Sequence, residues 1–414
     1  MSEVLAHRVA AAPERVAPVP GKVHVVRSDT EAIDIAHALA PEFAAEAALR
    51  DAQRRLPWDE LDRYSASGLG GITVPRAFGG AGVAYATLAE VFRILCAADP
   101  SLGQIPQNQF GVLEVIRELG SPQQQARVFA AVLAGERLGN AGPERGTATI
   151  LHQRTRLTRR DGGLRLSGRR YYSTGALFAH WIPTRALDDD DRPVMLWVAR
   201  GAPGVRVIDD WSSFGQRTTA SGSVVFDDVE VDPDNVVPAW QLADRPGLTG
   251  PVSQLIQASI DAGIAAAAID DTVRFVREHA RPWMDSGVAR AADDPYVIQA
   301  LGRLQIDRHA ADAVLRDAAR TLDRIAAQPV TAAASAEASV AVAQAKILTT
   351  EIALAAAEKL FELAGSAATR AQHALDRHWR NARTHTLHDP VRWKYHLIGN
   401  HVLNGVPPRR HQWN

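Results

Sequence analysis

The chain has 414 residues, of which 46 are basic, 47 are acidic and 46% are hydrophobic. This composition excludes a disordered or fibrous protein, because it supplies enough apolar surface for a large core. The near-zero net charge gives no general attraction to nucleic acid or to an anionic membrane, so we expect neither partner. The length is typical of roughly two to three domains.

Residues 1–28 form an arm rich in proline and alanine, and we expect it to be flexible. It lacks the uninterrupted apolar core of a signal peptide. The most apolar stretch, residues 262–269, is far shorter than the roughly 20 residues of a membrane helix. The single cysteine, Cys96, lies in an apolar helical run, which predicts a buried, inert thiol. Together these features predict a cytoplasmic protein.

Three segments with different hydrophobic patterns follow the arm. Residues 29–136 carry apolar side chains at helical spacing, and Ser121 before Pro122 is a helix start signal. Residues 137–245 contain short apolar runs between Gly, Pro and Asp clusters, which predicts a small β-barrel or sandwich beginning with a hairpin over residues 155–172. Residues 246–414 contain long alanine-rich helical segments, as in a bundle. The predicted fold class is α+β, mostly α.

The sequence carries no familiar metal, nucleotide or nucleophile motif. A single cysteine and the absence of HExxH predict that there is no metal site. No glycine-rich phosphate motif follows a predicted strand, and GxSxG is absent. Several histidines lie near the C-terminus, and we expect most of them to be solvated or structural: 373, 378, 385, 388, 396 and 401.

Two short segments indicate chemistry more strongly. Residues 171–176 place small hydroxyls beside a glycine, which suits hydrogen bonding to a flat polar heterocycle, although an ordinary strand end has the same pattern. Residues 379–390 read WRNARTHTLHDP. Asp389 before Pro390 should stop a helix, and His385 and His388 should share one helical face. Either a solvated cationic helix end or an imidazole placed for proton transfer fits this pattern.

These segments also carry a resemblance. The order helices, strands, helices, together with FGQR at 214–217, SGS at 221–223 and FDDVEV at 226–231, resembles the acyl-CoA dehydrogenase superfamily. YSTGA at 172–176, ARPW at 280–283 and the string at 379–390 resemble its flavin-dependent monooxygenases, which include dibenzothiophene monooxygenases and Sfn-type sulfur-acquisition oxidoreductases. Dehydrogenases usually carry Tyr-Glu-Gly-Thr near the position of His388-Asp389-Pro390.

The resemblance implies an N-terminal helical domain, a small middle β domain and a C-terminal four-helix bundle, assembled as a homotetramer. Reduced FMN from a separate reductase would react with O2 to give a C4a-hydroperoxyflavin, which would transfer one oxygen atom to a small organosulfur or other heteroatom substrate in sulfur acquisition. Two alternatives remain open. One is an FAD-dependent acyl-CoA dehydrogenase, with Asp389 as the acid near the expected base. The other is a flavin-binding protein without turnover.

The resemblance further implies roles for individual residues. His388 would act as the acid or base near the flavin, with His385 as its neighbour. The implied cofactor-binding residues are Asn140, Ser173, Thr174, Arg281, Trp283 and Arg370, with Arg281 on the phosphate and Arg370 replacing a family arginine that falls here at Ala367. The implied substrate pocket contains Gln104, Asn108 and Gln109, where dibenzothiophene monooxygenases carry a histidine and a tyrosine. A smaller or more polar substrate, such as an alkyl sulfone or sulfide, is therefore expected.

Overall fold

The computed structural model describes residues 17–18, 21–149, 152–160 and 162–414. The N-terminal domain is helical, as predicted. Its helices are α1 (Asp29–Ala45), α2 (Ala47–Gln53), α3 (Trp58–Ala66), α4 (Tyr85–Ala98), α5 (Pro100–Gln104), α6 (Gln107–Leu119) and α7 (Pro122–Leu133). The predicted start of α7 is a capping box, in which Ser121 and Gln124 each accept the other's backbone N–H. Burial raises the pKa of the Cys96 thiol well above its ordinary value, as expected for an inert thiol.

Most of the arm over residues 1–28 lies outside the described residues. Its last part packs against the helical domain. The Val26 side chain is buried in the core, and the His24 backbone N–H donates to the Ala66 carbonyl over 2.9 Å. The predicted flexibility therefore does not extend to these residues.

Within the described residues, the middle domain contains one seven-stranded sheet in the order β5-β6-β2-β1-β3-β4-β7. The strands are β1 (Arg156–Arg160), β2 (Gly163–Arg170), β3 (Trp181–Leu187), β4 (Pro193–Ala199), β5 (Val205–Ile208), β6 (Ser223–Val231) and β7 (Val236–Val237). β1 and β2 form the predicted antiparallel hairpin, although Asp161 of its predicted turn lies outside the described residues. β3 was not predicted, because Pro183 interrupts its pattern.

The C-terminal domain is a helical bundle. Its helices are α8 (Thr249–Glu278), α9 (Pro295–Ala326), α10 (Ala332–Ala364), α11 (Asp376–His385) and α12 (Arg392–Asn404). α8 lies in the centre and packs against α4, α9 and α10. By length and composition α8 and α10 could each cross a membrane, but 89% and 61% of their most apolar windows are buried inside the protein. Burial in the core accounts for their composition.

The string at 379–390 joins the three domains. Asn381 Oδ1 accepts the Gln216 backbone N–H over 2.7 Å, and Arg380 pairs with Asp51 of α2. Gly215 lies so close to α11 that a Cβ atom there would be 1.9 Å from the Arg380 carbonyl oxygen. These contacts fix the C-terminal end of α11 against the middle domain.

Candidate active site

Several buried side-chain atoms have no hydrogen-bond partner among the described residues. They include Gln104 Oε1, Ser173 Oγ, both amide atoms of Gln254, Gln257 Oε1, His385 Nε2 and Asp389 Oδ2. A buried polar atom without a partner costs roughly 1–3 kcal/mol, and native proteins leave few of them. Such a concentration therefore indicates a site for a polar ligand.

Direct contacts bring the elements that carry these atoms together. Gln257 Nε2 on α8 donates to Gln107 Oε1 on α6 over 2.5 Å and lies 3.5 Å from His388 Nε2. Between α5 and α6, the Ile105 carbonyl oxygen would be only 3.0 Å from a Cβ at Gly175 of the middle domain. The junction of α5 and α6 therefore touches both the bundle and the end of β2, and the candidate site lies where the three domains meet.

The middle domain contributes a row of hydroxyls, including the predicted residues Ser173 and Thr174. Both side chains are buried. Thr174 Oγ1 is 2.7 Å from Ser221 Oγ, which is 2.7 Å from Thr219 Oγ1. Tyr172, immediately before them, has a positive φ of 59°, a strained conformation that clusters at functional sites. Because hydroxyls can donate or accept, this row can bind either kind of polar atom on a heterocycle.

Gly222 explains how this row is positioned. Its carbonyl oxygen accepts the Ser173 backbone N–H over 3.2 Å. A Cβ atom at Gly222 would lie 2.4 Å from both the Ile208 carbonyl oxygen and Asp210 Oδ1, so a larger residue does not fit there. The SGS motif at 221–223 thus supplies both a hydroxyl and the close approach that holds Ser173.

His388 does not share a helical face with His385, in contrast to the prediction. α11 ends at His385, and His388 lies in the turn before Pro390. The restriction that Pro390 imposes on Asp389 ends the helix early. His388 Nδ1 lies 3.2 Å from Asp389 Oδ1, and its side chain is 33% exposed. In a neutral ring with hydrogen on Nδ1, Nε2 is left as the acceptor that faces Gln257.

Asp389 is a buried carboxylate that stays ionised. Burial opposes its charge, but the hydrogen bond with His388 and the cations Lys346 and Lys394 outweigh burial and hold the pKa of Asp389 well below its ordinary value. A carboxylate with so low a pKa is a weak base. Asp389 is therefore poorly suited to remove an α-proton from a thioester.

His385 belongs to a network in the bundle core. Its Nδ1 is 2.5 Å from Asp261 Oδ1, and Asp261 Oδ2 accepts from Lys346 Nζ over 2.6 Å and from Thr350 Oγ1 over 2.7 Å. Burial would raise the pKa of Asp261, but Lys346 and His385 lower it to about 2. Burial lowers the pKa of His385, and Asp261 opposes this change in part. His385 thus lies in the core beneath His388, and a catalytic role for it stays a prediction.

An open cavity of about 680 Å³ adjoins His388 and Asp389. Its walls come from the turn after α11, from α12 and from residues 406–414, which fold back over α12. Aromatic and aliphatic side chains, including Trp393, Leu397 and Trp413, lie beside the basic residues Lys394 and Arg409. The cavity is large enough for a small organic molecule.

The three predicted pocket residues have different surroundings. Gln104 is buried, and its side-chain oxygen has no partner in the described part of the chain. Asn108 is half-buried. The Gln109 amide donates to the Gly70 carbonyl over 2.8 Å and accepts the Leu138 backbone N–H over 2.9 Å. Gln109 therefore ties α6 to the start of the middle domain, and its amide is already occupied.

Asn140 lies beside the hydroxyl row, whereas the predicted phosphate residues lie elsewhere. Asn140 Nδ2 donates to the Tyr172 carbonyl over 3.4 Å. Arg281 is exposed just after α8, Trp283 is 67% exposed, and Arg370 is exposed on the loop before α11.

The His373 ring lies 5.0 Å from the Phe275 ring, so the loop that carries Arg370 is at the same end of α8 as Arg281. At 1.5 Å per residue, that end is roughly 30 Å from Gln257, which contacts His388. This distance is longer than an extended FMN molecule. The structure therefore places the two arginines at the same end of α8 but separates them from the hydroxyls within one copy of the chain.

Other residues of the site were not predicted. Gln254 and Gln257 are buried polar residues in an otherwise apolar stretch of α8, three residues apart. Two glutamines on one face of a core helix are a signal that sequence inspection could have found. Lys394 gives no such signal, because its burial depends on residues 413 and 414, which fold over it.

The residues present fit the ring of a flavin. Its polar edge offers both donors and acceptors, and the Ser173 hydroxyl, the Gln104 carbonyl oxygen and the Gln254 amide are buried polar groups with no partner among the described residues. Arg281 and Arg370 carry guanidinium groups suited to a phosphate, at the other end of α8.

Comparisons with known proteins agree with this arrangement. Residues 31–136 match the family model of the acyl-CoA dehydrogenase N-terminal domain, and residues 255–393 match that of the C-terminal domain. The chain therefore belongs to the acyl-CoA dehydrogenase family, and within it to the flavin-dependent monooxygenases.

Two relatives and two solved structures define this branch. The chain is 34% identical to the dibenzothiophene monooxygenase of Rhodococcus erythropolis over 94% of this chain and 98% of that protein. It is 31% identical to the probable FMNH2-dependent monooxygenase SfnC of Pseudomonas putida, over 91% of this chain and 96% of SfnC. FMN-bound TdsC from Paenibacillus sp. A11-2 superposes with a TM-score of 0.88 at 31% identity, and the match covers 92% of this chain and 100% of TdsC. Methanesulfinate monooxygenase MsuC from Pseudomonas fluorescens superposes with a TM-score of 0.85 and is 28% identical, and the match covers 92% of this chain and 99% of MsuC.

Proposed function

We propose that this chain is an FMNH2-dependent monooxygenase that inserts one oxygen atom from O2 into a small organosulfur substrate. The family supports the reaction class, since its similar members are FMNH2-dependent monooxygenases of sulfur compounds. The observation that carries the proposal is the pair His388–Asp389 at the edge of a cavity of about 680 Å³, next to buried polar groups that have no partners in the part of the chain that the structure describes.

Bound reduced FMN supplies the electrons that activate O2. The protein positions the reactants and moves the proton. Asp389 holds the His388 ring through Nδ1, and Nε2 is then free to take or give a proton near the reacting atoms. Ser173 and Thr174 bind the edge of the flavin ring. Leu397, Trp393 and Trp413 give the cavity apolar walls, and a substrate bound against them would displace water, which favours transfer of oxygen to the substrate over release of peroxide.

The test is a screen of small sulfides, sulfones and sulfinates with FMNH2 from a generic reductase, with products identified by mass. We expect a product that carries one additional oxygen atom from labelled O2. Anaerobic bleaching of protein-bound FAD by an acyl-CoA would instead show a dehydrogenase. Hydrogen peroxide as the sole product with every substrate tried would show a flavin-binding protein without productive turnover.

We further propose a homotetramer in which a second copy supplies Arg281 to the FMN phosphate. The support is the roughly 30 Å between the Arg281 end of α8 and Gln257, which one FMN molecule does not span. Exposed apolar residues on α9 and α12, among them Ile306 and Leu403, offer faces for such an assembly. A cytoplasmic location suits an enzyme that depends on a reductase for FMNH2.

Mixing two variants at a low FMNH2 concentration, at which each alone has little activity, tests this assembly. Arg281→Ala removes the proposed phosphate contact, and His388→Ala removes the proposed acid or base. If the site combines residues of two copies, co-refolded mixtures regain activity, because some sites receive neither substitution. A mixture as inactive as its components, or a monomer mass in light scattering, would contradict the shared site.

A further inference from the structure

We propose that the row of hydroxyls in the middle domain makes the site bind reduced FMN in preference to oxidised FMN. The residues that impose this preference are Thr219 and Ser221, which lie behind Thr174 in the row. The inference rests on the proposed monooxygenase function, because it takes FMN as the ligand of the hydroxyls. It adds residues that select the redox state of the cofactor.

The far end of the row fixes the direction of every hydrogen bond in it. Thr219 Oγ1 lies 2.9 Å from the Gln216 carbonyl oxygen, which can only accept, so Thr219 donates its one hydroxyl hydrogen there. Ser221 Oγ, 2.7 Å from Thr219 Oγ1, must then donate to Thr219. Thr174 Oγ1, 2.7 Å from Ser221 Oγ, must in turn donate to Ser221. The Thr174 oxygen therefore has only lone pairs left for a ligand.

The carbonyl group of Gln216 is held in place from several sides. The Gln216 backbone N–H donates to Asn381 Oδ1 over 2.7 Å, and its side-chain oxygen accepts from Ser101 Oγ over 2.8 Å. The carbonyl oxygen also accepts the indole N–H of Trp211 over 2.9 Å. Because Asn381 belongs to α11 and Ser101 to α5, all three domains fix this buried acceptor. The direction of the row is therefore built into the fold.

The neighbouring hydroxyl of Ser173 is not directed in this way. Ser173 Oγ is buried and has no hydrogen-bond partner among the described residues, so its hydrogen is not committed. Such a hydroxyl can donate or accept. Ser173 thus suits either redox form of a flavin, whereas Thr174 favours the form that presents an N–H group.

Thr174 lies at the same domain junction as His388. The residue after Thr174 approaches the Ile105 carbonyl, and Gln107 follows two residues later. Gln107 accepts a hydrogen bond from Gln257, which faces His388. An acid or base has to lie beside the reacting carbon of the flavin, C4a, and the ring nitrogen bonded to C4a is N5. We therefore assign the Thr174 oxygen to N5.

Reduction changes N5 from an acceptor into a donor. In the oxidised ring N5 carries a lone pair, which would face the lone pairs of Thr174 without a hydrogen between them. The reduced ring carries a hydrogen on N5, and Thr174 can accept it. Because a buried polar atom without a partner is costly, the row should penalise the oxidised form and favour the reduced form.

The experiment measures the dissociation constant of oxidised FMN and, in the absence of O2, that of reduced FMN for the full-length protein. We expect reduced FMN to bind roughly tenfold or more tightly. For a two-electron couple this ratio makes the midpoint potential of bound FMN about 30 mV more positive than that of free FMN for each factor of ten. Equal affinities, or tighter binding of oxidised FMN, would overturn the proposal.

Thr219→Val tests the direction of the row at a residue two hydrogen bonds from the ligand. The substitution keeps the shape of the side chain and releases the hydrogen of Ser221, so that Thr174 can donate as well as accept. Oxidised FMN should then bind roughly three- to tenfold more tightly than in the parent, whereas the affinity for reduced FMN should change little. Damage to the fold would weaken both forms, so it would not produce this gain.

Matched variants complete the test. Thr219→Ser keeps the donor and should retain the parent preference. Thr349→Val, on α10, removes a buried hydroxyl that also donates to a backbone carbonyl, over 2.9 Å, and should leave both affinities unchanged. If Thr219→Val fails to fold, Ser221→Ala interrupts the row one step nearer the ligand and should change the preference in the same direction. An unchanged ratio of the two affinities in these row variants would overturn the assignment.

The outcomes separate this inference from the proposed function. Oxygenation of an organosulfur compound by a protein that binds both forms of FMN equally would overturn the inference and leave the monooxygenase function intact. A preference for reduced FMN that Thr219→Val removes, in a protein that oxygenates no substrate, would do the reverse. If neither form of FMN bound, both proposals would be wrong.

Discussion

Two histidines that lie three residues apart, His385 and His388, each pair with an aspartate, and the two pairs differ in burial. His385 and Asp261 are both buried, and every oxygen of Asp261 has a protein partner, Lys346 and Thr350 among them. His388 is one-third exposed at a cavity, and Asp389 keeps one oxygen without a hydrogen bond in the described part of the chain. The carboxylate of the first pair is saturated by protein partners, whereas that of the second keeps an oxygen available to a ligand.

The end of α11 decides which histidine is structural and which is available for chemistry. α11 ends at His385 because Pro390 follows Asp389, and the next three residues turn out of the bundle. A helix continued for one more turn would have placed both imidazoles on the core side. We therefore expect substitutions at His388 to change the reaction and substitutions in the Asp261 network to change stability.

The largest expected effect is that of His388→Ala on oxygen transfer. Loss of a positioned acid or base typically lowers a rate by about 10²–10⁴-fold. Because the side chain is partly exposed and lies outside the core, FMN affinity and the urea midpoint should change little. Rate measurements at saturating FMNH2 and organosulfur substrate test this prediction.

His309→Ala, at an exposed position on α9, is the matched control for His388→Ala and should retain the parent rate. Added imidazole should restore part of the activity of His388→Ala if the ring acts as an acid or base. An oxygenation rate equal to that of the parent enzyme would show that the assignment of His388 is wrong.

The second effect concerns stability. Asp261→Ala leaves Lys346, which is fully buried, without its countercharge, and breaking such a pair typically costs roughly 3–5 kcal/mol of unfolding free energy. Asp389→Ala should cost less, because Lys394 still donates to the Trp413 carbonyl and to Asn414. Urea unfolding of both variants measures the difference. A larger loss for Asp389→Ala would reverse our comparison of the two pairs.

The third effect concerns FMNH2 binding, to which we assign Arg281 and neither of the two histidine–aspartate pairs. Arg281→Ala should weaken FMNH2 binding roughly ten- to hundredfold, because a charge-assisted hydrogen bond to phosphate is worth about 1.5–3 kcal/mol. Saturating FMNH2 should recover most of the rate, in contrast to His388→Ala. Arg303→Ala, on the exposed face of α9, is the control. If Arg281→Ala bound FMNH2 as tightly as the parent, the phosphate would lie elsewhere.

The order of domains and most elements were predictable because they depend on local patterns. β1 and β2 form the hairpin predicted over residues 155–172, and the capping box of α7 follows from Ser121 and Gln124 alone. β3 was missed because its pairing with β4, and not its own pattern, makes it a strand. α12 was not predicted, and its Lys394 is buried only through residues that fold back from the C-terminal segment.

The candidate site was predictable in part. Ser173, Thr174 and His388 were identified through their motifs, and the structure places them on elements that meet at the domain junction. Arg281 is separated from these residues because α8 is 30 residues long and carries Arg281 to its far end. Motifs identify individual residues but do not give such a distance. His385 pairs with Asp261 of α8, and Asp261 pairs in turn with Lys346 of α10. Because both partners come from distant helices, sequence spacing could not show that this imidazole lies in the core.

The smallest effect is the contribution of the buried His385 to the pH dependence of stability. Burial holds the pKa of His385 below its ordinary value of 6.5, so below about pH 6.5 the unfolded chain binds a proton that the folded chain does not. Stability should therefore fall as the pH decreases from about 7 to 5, by at most about 1.4 kcal/mol per pH unit for this group. The low pKa of Asp261 acts only at lower pH, where this carboxylate begins to protonate in the unfolded chain. His385→Gln should flatten the slope, whereas His309→Gln should leave it unchanged. Equal slopes in the parent and His385→Gln would mean that the buried imidazole is already protonated, and the contrast between the two pairs would then have another origin.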